Sequence, residues 1–241
     1  MKEIIVVGYP RSGNAWVARL IGEVLQCPVQ GPPGHERLSC AYEGQDRTSE
    51  WRVIQTHVTP NSGGTFWLSG WQVDLDHADG RKIIHVVRDP RDVAVSSMYY
   101  WHLRSLKDTA RKMLNGDWPL TDVPWHEFVM PWLNAWPSYQ ITTVRYIDLQ
   151  EDPERFLRVT LERLGLSAEI ELKDAISIQS FDTKRAELRA CGDKYPYGRD
   201  LQLRHMRRGV PGEGVQLFTG ELEKLVRDTW EPVMVRLGYK W

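Results

Sequence analysis

One stretch near the amino terminus constrains the fold more than any other. Residues 3–9 read EIIVVGY, a continuous run of apolar and β-branched residues that predicts a strand buried on both faces of a parallel sheet. Gly8 and Gly13 flank a short loop, and residues 14–26 then carry apolar side chains at helical spacing. Such a strand–loop–helix segment directs backbone N–H groups and the positive end of a helix dipole at one point. The segment therefore predicts an anion-binding loop in an α/β protein.

The loop lacks the residues that bind a magnesium nucleoside triphosphate. In that kind of loop, Lys and then Ser or Thr follow the second glycine, whereas this chain has Asn14 and Ala15 there. Arg11 and Ser12 instead supply a fixed positive charge and a hydroxyl donor before the second glycine. The pattern favours a phosphate or sulfate whose charge is balanced by arginines.

The remainder of the chain alternates between strand and helix patterns. Three further strands are predicted, at 51–58, 82–89 and 140–149. Helices are predicted at about 91–103, 125–136 and 152–166, in two pieces at 171–189, and at 219–239 with an interruption near Pro232. Loops are predicted at 27–50, 104–124 and 190–216. Alternation of this kind predicts an α/β fold in which helices cover both faces of a parallel sheet.

Composition restricts the class of protein further. The 241 residues suffice for one α/β domain, and a net charge of −1 argues against a general nucleic-acid binder. Three widely spaced cysteines predict neither a disulfide framework nor a zinc site, and they favour the cytoplasm. Because the first predicted strand begins by Glu3, no signal peptide is expected. No window reaches the roughly 18 apolar residues of a membrane span, so no membrane association is expected.

A second segment has the same arrangement of a strand end followed by a helix. In HVVRDPRDVAVSSMYYW (85–101), Arg88 stands at the end of a predicted strand, and Ser96 lies about two turns into the following helix. Open α/β sheets bind ligands at the carboxyl ends of their strands. Taken alone, Arg88 would be read as a surface ion-pair residue, but together with the first loop it predicts a second anion site at the ligand-binding edge of the sheet.

These segments resemble the sulfotransferases that use 3′-phosphoadenosine 5′-phosphosulfate (PAPS). YPRSGNAW is similar to the 5′-phosphosulfate loop of that family, YPKSGTTW, and VVRDPRDVAVS is similar to its 3′-phosphate motif. Four further segments match in the right order: VIQTHV, VRYIDLQEDPERFLRVTLERLGL, QSFDTKR and HMRRGVPGEGVQLFT. The resemblance spans residues 4 to about 238. It implies one domain over 1–241, with a central parallel sheet of about five strands flanked by helices and related to the P-loop kinases.

The resemblance also implies a set of binding residues for PAPS, whose product is 3′-phosphoadenosine 5′-phosphate (PAP). The residues implied to wrap the 5′-phosphosulfate are Arg11, Ser12, Gly13, Asn14 and Ala15. Those implied to form the adenine pocket are Trp16, Tyr146 and Phe181. Those implied to bind the 3′-phosphate are Arg88, Ser96, Arg207, Arg208 and Gly209.

Sulfuryl transfer resembles phosphoryl transfer, an in-line displacement in which positioning and charge stabilisation dominate. The acceptor hydroxyl loses a proton as it attacks, and histidine suits that step near neutral pH. His57, on the family's catalytic histidine in VIQTHV, is the predicted general base. The remaining histidines lack metal-ligand spacing, so no metal is predicted.

The chain departs from the family pattern at four positions in or near the sulfuryl site. Arg11 replaces the loop lysine and would act only as an electrostatic clamp, because arginine stays charged in proteins. Gln55 replaces the lysine that precedes Thr56 and His57, which removes one cation, and Ala15 replaces a threonine. Asn14 replaces the other threonine. The dimer signature KxxxTVxxxE is also not kept around residue 219, which leaves the oligomeric state open.

The segments outside the cofactor motifs, at 28–50, 59–80 and 100–136, are expected to select the acceptor. They and their flanks are rich in aromatic residues, namely Trp51, Trp67, Trp71, Tyr99, Tyr100, Trp101, Trp118, Trp125, Trp132 and Trp136. An aromatic-lined pocket would favour a flat, apolar or cationic small molecule. The alternative is that individual tryptophans pack in the core.

Three functional hypotheses follow from the sequence. The first is a sulfotransferase acting on a hydroxyl, or an amine, of a small molecule. The second is a P-loop kinase or NTPase, which the residues after Gly13 disfavour. The third is a PAPS- or PAP-binding protein with impaired catalysis, motivated by Arg11 and Gln55.

Overall fold

The computed structural model describes residues 1–31, 36–39, 41–59, 65–68, 71–74, 81–117, 121–134, 141–190, 203 and 205–241. Its strands are β1 (Lys2–Val7), β2 (Val29–Gln30), β3 (Trp51–Thr56), β4 (Thr65–Leu68), β5 (Trp71–Asp74), β6 (Lys82–Val87) and β7 (Ile141–Arg145). Five of them form one all-parallel sheet in the order β2-β3-β1-β6-β7, and β4 pairs antiparallel with β5. The predicted fold class, with about five parallel strands, is confirmed.

Helices cover both faces of the sheet. They are α1 (Asn14–Val24), α2 (Pro90–Tyr100), α3 (Leu106–Asn115), α4 (Trp125–Asn134), α5 (Tyr146–Glu151), α6 (Pro153–Leu164), α7 (Leu172–Ile178), α8 (Phe181–Ala190), α9 (Glu213–Leu217) and α10 (Glu221–Arg236). The caps predicted for α6 are present: Asp152 accepts from the N–H of Arg155, and Gly165 ends the helix at φ 62°. Within the described ranges, no helix has the length and apolar character needed to cross a membrane.

Strand β1 divides the core into two halves. Ile4 and Val6 pack with α1, α6 and α7 on one face, whereas Ile5 and Val7 pack with α3, α4 and α10 on the other. All four side chains are fully buried. Because successive side chains of a strand point to opposite faces, this alternation accounts for the uninterrupted apolar run in the sequence.

The register of the sheet brings three strand ends together. Val7, the last residue of β1, lies opposite Thr56 of β3 and His85 of β6. The chain also passes from β1 to β3 on one side and to β6 on the other, so the strand order reverses at β1. Loops that follow strands at such a reversal form the ligand crevice of an open α/β sheet.

The prediction of a loop over 104–124 is wrong for α3. The Ser105 side chain accepts from the N–H of Asp108, and Gly116 ends the helix at φ 75°. Both are ordinary helix boundary signals. The helix is amphipathic but polar over most of its surface, and it buries a narrow face that includes Thr109, Ala110 and Met113, so its overall polarity concealed it in the sequence.

Three other boundaries differ from the prediction. Strand β7 ends at Arg145 instead of continuing to 149, because Arg145 donates to Asp148 across one turn of α5 (Nε to Oδ2, 2.9 Å). Helix α10 runs through Pro232 without a break, held by a buried face that includes Trp230 and Met234. The predicted loops at 27–50 and 190–216 contain β2 and α9, respectively.

Candidate functional site

A cavity of about 780 Å³ opens at the carboxyl ends of the parallel strands. Its walls come from the loop after β1, the end of β3, the end of β6, α2, the start of α5, α8 and the segment 205–210. The predicted site residues in its lining are Arg11, Gly13, Asn14, Ala15, Trp16, His57, Arg88, Ser96, Tyr146, Phe181, Arg207, Arg208 and Gly209. The structure thus brings together residues separated by up to two hundred positions in the chain.

The loop between β1 and α1 has a backbone that few residues could adopt. Gly13 has φ 101°, and a Cβ there would lie 2.4 Å from the ring of Tyr146. Arg11 has φ 70°, in the left-handed region that side-chain-bearing residues rarely occupy. Helix α1 then starts at Asn14 without a side-chain cap, so its first N–H groups lie at the cavity.

Ser12 lies just behind the cavity wall and is not part of the lining. Its side chain is 1% exposed, and its Oγ has no hydrogen-bond partner among the described residues. Since a buried hydroxyl without a partner costs about 1–3 kcal/mol, the loop holds a donor that an oxyanion in the cradle would satisfy.

The Arg11 side chain turns toward α2 and the segment 205–210. Its Nε donates to Ser96 Oγ at 3.1 Å, and its Nη2 donates to the carbonyl of His205 at 3.1 Å. The guanidinium lies 4.3 Å from the centre of the Tyr100 ring. Arg11 therefore joins the 5′-phosphosulfate loop to Ser96, a residue of the expected 3′-phosphate group.

Arg88 follows β6, as predicted from the sequence. Its Nη1 donates to the backbone carbonyl of Arg11 at 3.3 Å, and its guanidinium lies 4.5 Å from the centre of the Tyr146 ring. Asp92, one turn on in α2, lies 4.0 Å from Nε. Arg88 thus places positive charge beside the β1–α1 loop and the ring of Tyr146.

The cations of the segment 205–210 are held by a carboxylate. Arg207 and Arg208 both form ion pairs with Glu213, which lies at the start of α9. The hydrogen bond from Arg207 keeps the pKa of Glu213 below its usual value, against a smaller opposing effect of burial. Asp92 accepts from the N–H groups of Gly212 and Gly214 and so fixes this segment to α2.

Three aromatic residues expected around adenine converge on one part of the cavity. The rings of Trp16 and Tyr146 meet edge to face at 6.0 Å, and the Tyr146 hydroxyl donates to the Gly209 carbonyl at 3.0 Å. A Cβ on Gly209 would lie 3.2 Å from the ring of Phe181. These contacts group the three aromatic side chains in the lining of the cavity.

His57 lies just beyond β3 and is exposed to the cavity. Its Nδ1 lies 2.8 Å from the Gly8 carbonyl, which can only accept, so Nδ1 carries the proton. Burial by the surrounding walls lowers the pKa of His57; the bond to Gly8 opposes this effect, and Arg11 adds to it. His57 is therefore neutral near pH 7, with a lone pair on Nε2.

His205 is a site residue that the sequence reasoning missed. It lines the cavity, its Nδ1 lies 2.5 Å from Arg11 Nη1, and its ring lies 4.3 Å from that of Tyr100. Because a guanidinium only donates, Nδ1 accepts and His205 is neutral in this arrangement. Its position two residues before Arg207 was the signal that could have identified it.

The aromatic residues proposed for an acceptor pocket divide into three groups. Tyr100 and Trp101 line the cavity. Trp125 and Trp132 are core residues, at 0% and 2% exposure, so the packing alternative holds for them. Trp51 and Tyr99 do not line the cavity and contact Lys2 and Arg207, respectively. The side chains of Trp67 and Trp71 are not described, and Trp118 and Trp136 fall outside the described residues.

Across the described residues, no group of three or more His, Cys, Asp or Glu side chains is arranged to hold a metal ion. Five arginines, Arg11, Arg19, Arg88, Arg207 and Arg208, line the cavity instead. The site therefore presents fixed positive charge to an anionic ligand.

Comparisons with known proteins agree with this geometry. The family model described as "Sulfotransferase domain" matches residues 75–238. Human sulfotransferase 1E1 is 24% identical over 72% of this chain, and the match spans 63% of that protein, less than two thirds of its length. Mouse sulfotransferase 1 family member D1 is 22% identical, with 94% of this chain and 81% of that protein covered.

Solved structures show the same fold. The chain is similar to mouse sulfotransferase SULT7A1 complexed with PAP, with a TM-score of 0.73, 22% identity, and coverage of 97% of this chain and 84% of that one. It is also similar to retinol dehydratase in complex with androsterone and inactive cofactor PAP, with a TM-score of 0.67 and 17% identity. That likeness covers 96% of this chain and 82% of the other.

Proposed function

Since this chain belongs to the sulfotransferase domain family, we propose that it transfers a sulfuryl group from PAPS to a hydroxyl, or an amine, of a small-molecule acceptor. The observation that carries the proposal is the single cavity in which the uncapped start of α1, Arg88 and Arg207 meet at the strand ends. PAPS carries anionic groups at the 5′ and 3′ positions of its nucleoside, and this cavity combines arginines with the aromatic side chains of Trp16, Tyr146 and Phe181.

The residues present fit the donor nucleotide. The β1–α1 loop, with the unpartnered hydroxyl of Ser12 and the N–H groups of Gly13, Asn14 and Ala15, would hold the 5′-phosphosulfate. The adenine would lie against the aromatic side chains of Trp16, Tyr146 and Phe181. Its 3′-phosphate would contact Ser96, Arg88, Arg207, Arg208 and Gly209.

In the proposed reaction His57 is the general base. As the acceptor oxygen forms its bond to sulfur, its proton passes to Nε2 of His57. The bond from sulfur to the 5′-phosphate oxygen breaks, and its electron pair leaves with PAP. Arg11, at the phosphate end of this path, would stabilise the negative charge that develops there.

The acceptor would bind on the side of His57 where Trp101 and Thr121 line the cavity. Trp101 favours a flat apolar or cationic small molecule, because aromatic faces bind both, whereas the Tyr100 ring already contacts Arg11 and His205. As part of the same proposal we assign the enzyme to the cytoplasm, on the basis of its sparse cysteines, of which Cys27 is buried and free.

Calorimetry with PAP and with ADP, each with and without magnesium, tests the donor assignment. We expect PAP to bind more tightly, because ADP lacks the phosphate that Arg207 would contact. A preference for ADP, or a requirement for magnesium, would instead support a kinase or NTPase.

The replacement of two family lysines by Arg11 and Gln55 motivates a second candidate, a PAP-binding protein with impaired catalysis. Sulfation of simple phenols with labelled PAPS separates the two, with His57→Ala as the matched variant. Transfer that falls strongly in His57→Ala supports the enzyme. Tight PAP binding without any transfer across an acceptor panel supports the binding protein.

A further inference from the structure

A short chain of hydrogen bonds reaches His57 from the side opposite Gly8. The Ser39 hydroxyl donates to Gln55 Oε1 at 2.8 Å, and Gln55 Nε2 lies 3.1 Å from His57 Nε2. Ser39 and Gln55 are each 5% exposed, and both border the cavity. Gln55 thus contacts the one nitrogen that would act as the base, and Ser39 contacts Gln55 from behind.

The neighbours of Gln55 fix which way its amide points. Ser39 Oγ already accepts from the N–H of Ala41 at 2.9 Å, so its hydrogen is available to donate. With that hydrogen donated to Gln55 Oε1, the amide oxygen faces Ser39 and the amide N–H faces His57 in this arrangement. That N–H needs a lone pair on His57 Nε2, just as the Gly8 carbonyl needs a hydrogen on Nδ1.

The charges around His57 also favour its neutral form. The charged group that acts on its ring is Arg11, from the β1–α1 loop, which disfavours a second positive charge. Gln55 from β3 and Asn14 from α1, which also reach the ring, are neutral. Asn14 Nδ2 shares the Gly8 carbonyl at 2.8 Å, so it stabilises the acceptor of the Nδ1 proton.

We propose that Gln55, oriented by Ser39, is a positioning residue that holds His57 in the tautomer with an unprotonated Nε2. The inference deepens the proposed function, on which it rests, because Nε2 is the atom that would take the acceptor proton. It also gives a role to a position where the family resemblance implies a lysine and this chain has none.

The amide serves both protonation states of the ring. When an acceptor O–H donates to Nε2, it replaces the Gln55 N–H there. After the new O–S bond has formed and PAP has left with the electron pair of the broken bond, His57 carries hydrogens on both nitrogens. Gln55 then turns its amide so that Oε1 accepts from Nε2, and the Ser39 hydroxyl, which accepts as well as donates, adjusts. A lysine could not do this, because it only donates.

Nitrogen-15 NMR of histidine-labelled protein saturated with PAP tests the inference without any turnover. At pH 7.5 we expect His57 to show a protonated Nδ1 and an unprotonated Nε2. In Gln55→Glu the carboxylate should attract a proton to Nε2 and raise the titration midpoint of His57 by about one pH unit or more. Gln45→Glu adds the same charge at an exposed site outside the cavity and should leave the midpoint unchanged.

Ser39→Ala is a second variant that changes no charge. It frees the amide to turn its oxygen toward Nε2, so the midpoint should rise by less than in Gln55→Glu. Ser97→Ala, at a buried serine of α2 outside the cavity lining, is its control. In active preparations the acid limb of the kcat/KM profile should move with the NMR midpoint.

The outcomes separate this inference from the proposed function. If PAP binds and sulfation proceeds, yet His57 titrates alike in Gln55→Glu and Gln45→Glu, the positioning role is wrong and the function stands. A wild-type Nε2 that is protonated at pH 7.5 also overturns the role. If PAP does not bind at all, the function fails, and the tautomer of the unliganded protein still decides the role of Gln55.

Discussion

Two segments of the cavity that are expected to bind anions, the β1–α1 loop and residues 205–213, are held in place by different kinds of interaction. The β1–α1 loop is shaped by packing: a Cβ on Gly8 would lie 2.3 Å from the carbonyl of Val86, and one on Gly13 would enter the Tyr146 ring. The segment 205–213 is shaped by charge: Glu213 holds Arg207 and Arg208, whose side chains are 28% and 64% exposed. Close packing fixes one backbone geometry, so a substitution there costs much free energy. Ion pairs near solvent are weak and are screened by salt.

The largest effect is expected where packing is most exact. Gly13→Ala would strain the backbone and push the new methyl group into Tyr146, at a cost of about 3 kcal/mol. We expect PAP affinity, measured by calorimetry, to fall at least about a hundredfold.

Gly165→Ala provides the matched control for this change. Gly165 also has a positive φ, 62°, but a Cβ there would meet nothing within 4 Å. It should lower the thermal midpoint slightly and leave PAP affinity unchanged. Equal losses of affinity in the two variants would contradict the view that close packing makes this loop.

The second prediction concerns low pH, which acts differently on a histidine buried by packing and on a carboxylate held in ion pairs. His85 is fully buried in β6 and stacks on Trp132, and burial lowers its pKa to about 3. The unfolded chain binds a proton at this residue below its usual value of 6.5, whereas the folded chain does not. The free energy of unfolding therefore falls as pH drops from 6.5 toward 3, by up to about 1.4 kcal/mol per pH unit from this residue.

Urea unfolding at pH 7 and pH 5 measures this loss, and His85→Gln is the comparison variant. The variant should be less stable at pH 7 and show a shallower pH slope. Glu213, whose pKa lies below the usual glutamate value, should keep its ion pairs over the same range. An identical slope in wild type and variant would remove His85 as the cause.

The same contrast explains how far the sequence predicted this molecule. The β1–α1 loop and Arg88 were predicted because strand ends and glycines leave strong local patterns, and His57 was predicted from the family resemblance of VIQTHV. His205 was missed because its role comes from Arg11, which is distant in the chain and adjacent only in the fold. The overall polarity of α3 concealed an amphipathic helix, whose narrow buried face includes Ala110 and Met113.

The acceptor side was predicted least well. Ten aromatic residues suggested a pocket, but Trp125 and Trp132 proved to be core residues of α4. Periodicity alone does not distinguish an aromatic side chain that lines a cavity from one buried beside it. The contact between Gln55 and Ser39 could not be predicted from the sequence either, because it depends on the orientation of the amide and not on residue spacing.

The third prediction addresses the segment built by charge. Arg207→Ala removes a cation that is mostly shielded by Glu213 and the Tyr99 ring. We expect PAP affinity to fall about tenfold, roughly 1.4 kcal/mol. The loss should shrink when salt is raised from about 0.05 to 0.5 M, since screening already weakens the contact in the wild type. A loss independent of salt would indicate that packing, not charge, organises this segment.

The smallest effect is expected at Arg208. Its side chain is 64% exposed and contacts Glu213 at 3.3 Å, so water competes for both partners. Arg208→Ala should reduce PAP affinity by about threefold at most, within the range of an exposed ion pair. Arg158→Ala, which removes a cation of 62% exposure paired with Glu154 on α6, controls for net charge and should have no effect on binding. A fall at Arg208 as large as that at Arg207 would mean that the nucleotide draws the exposed arginine inward, and that the charge-built segment closes on its ligand.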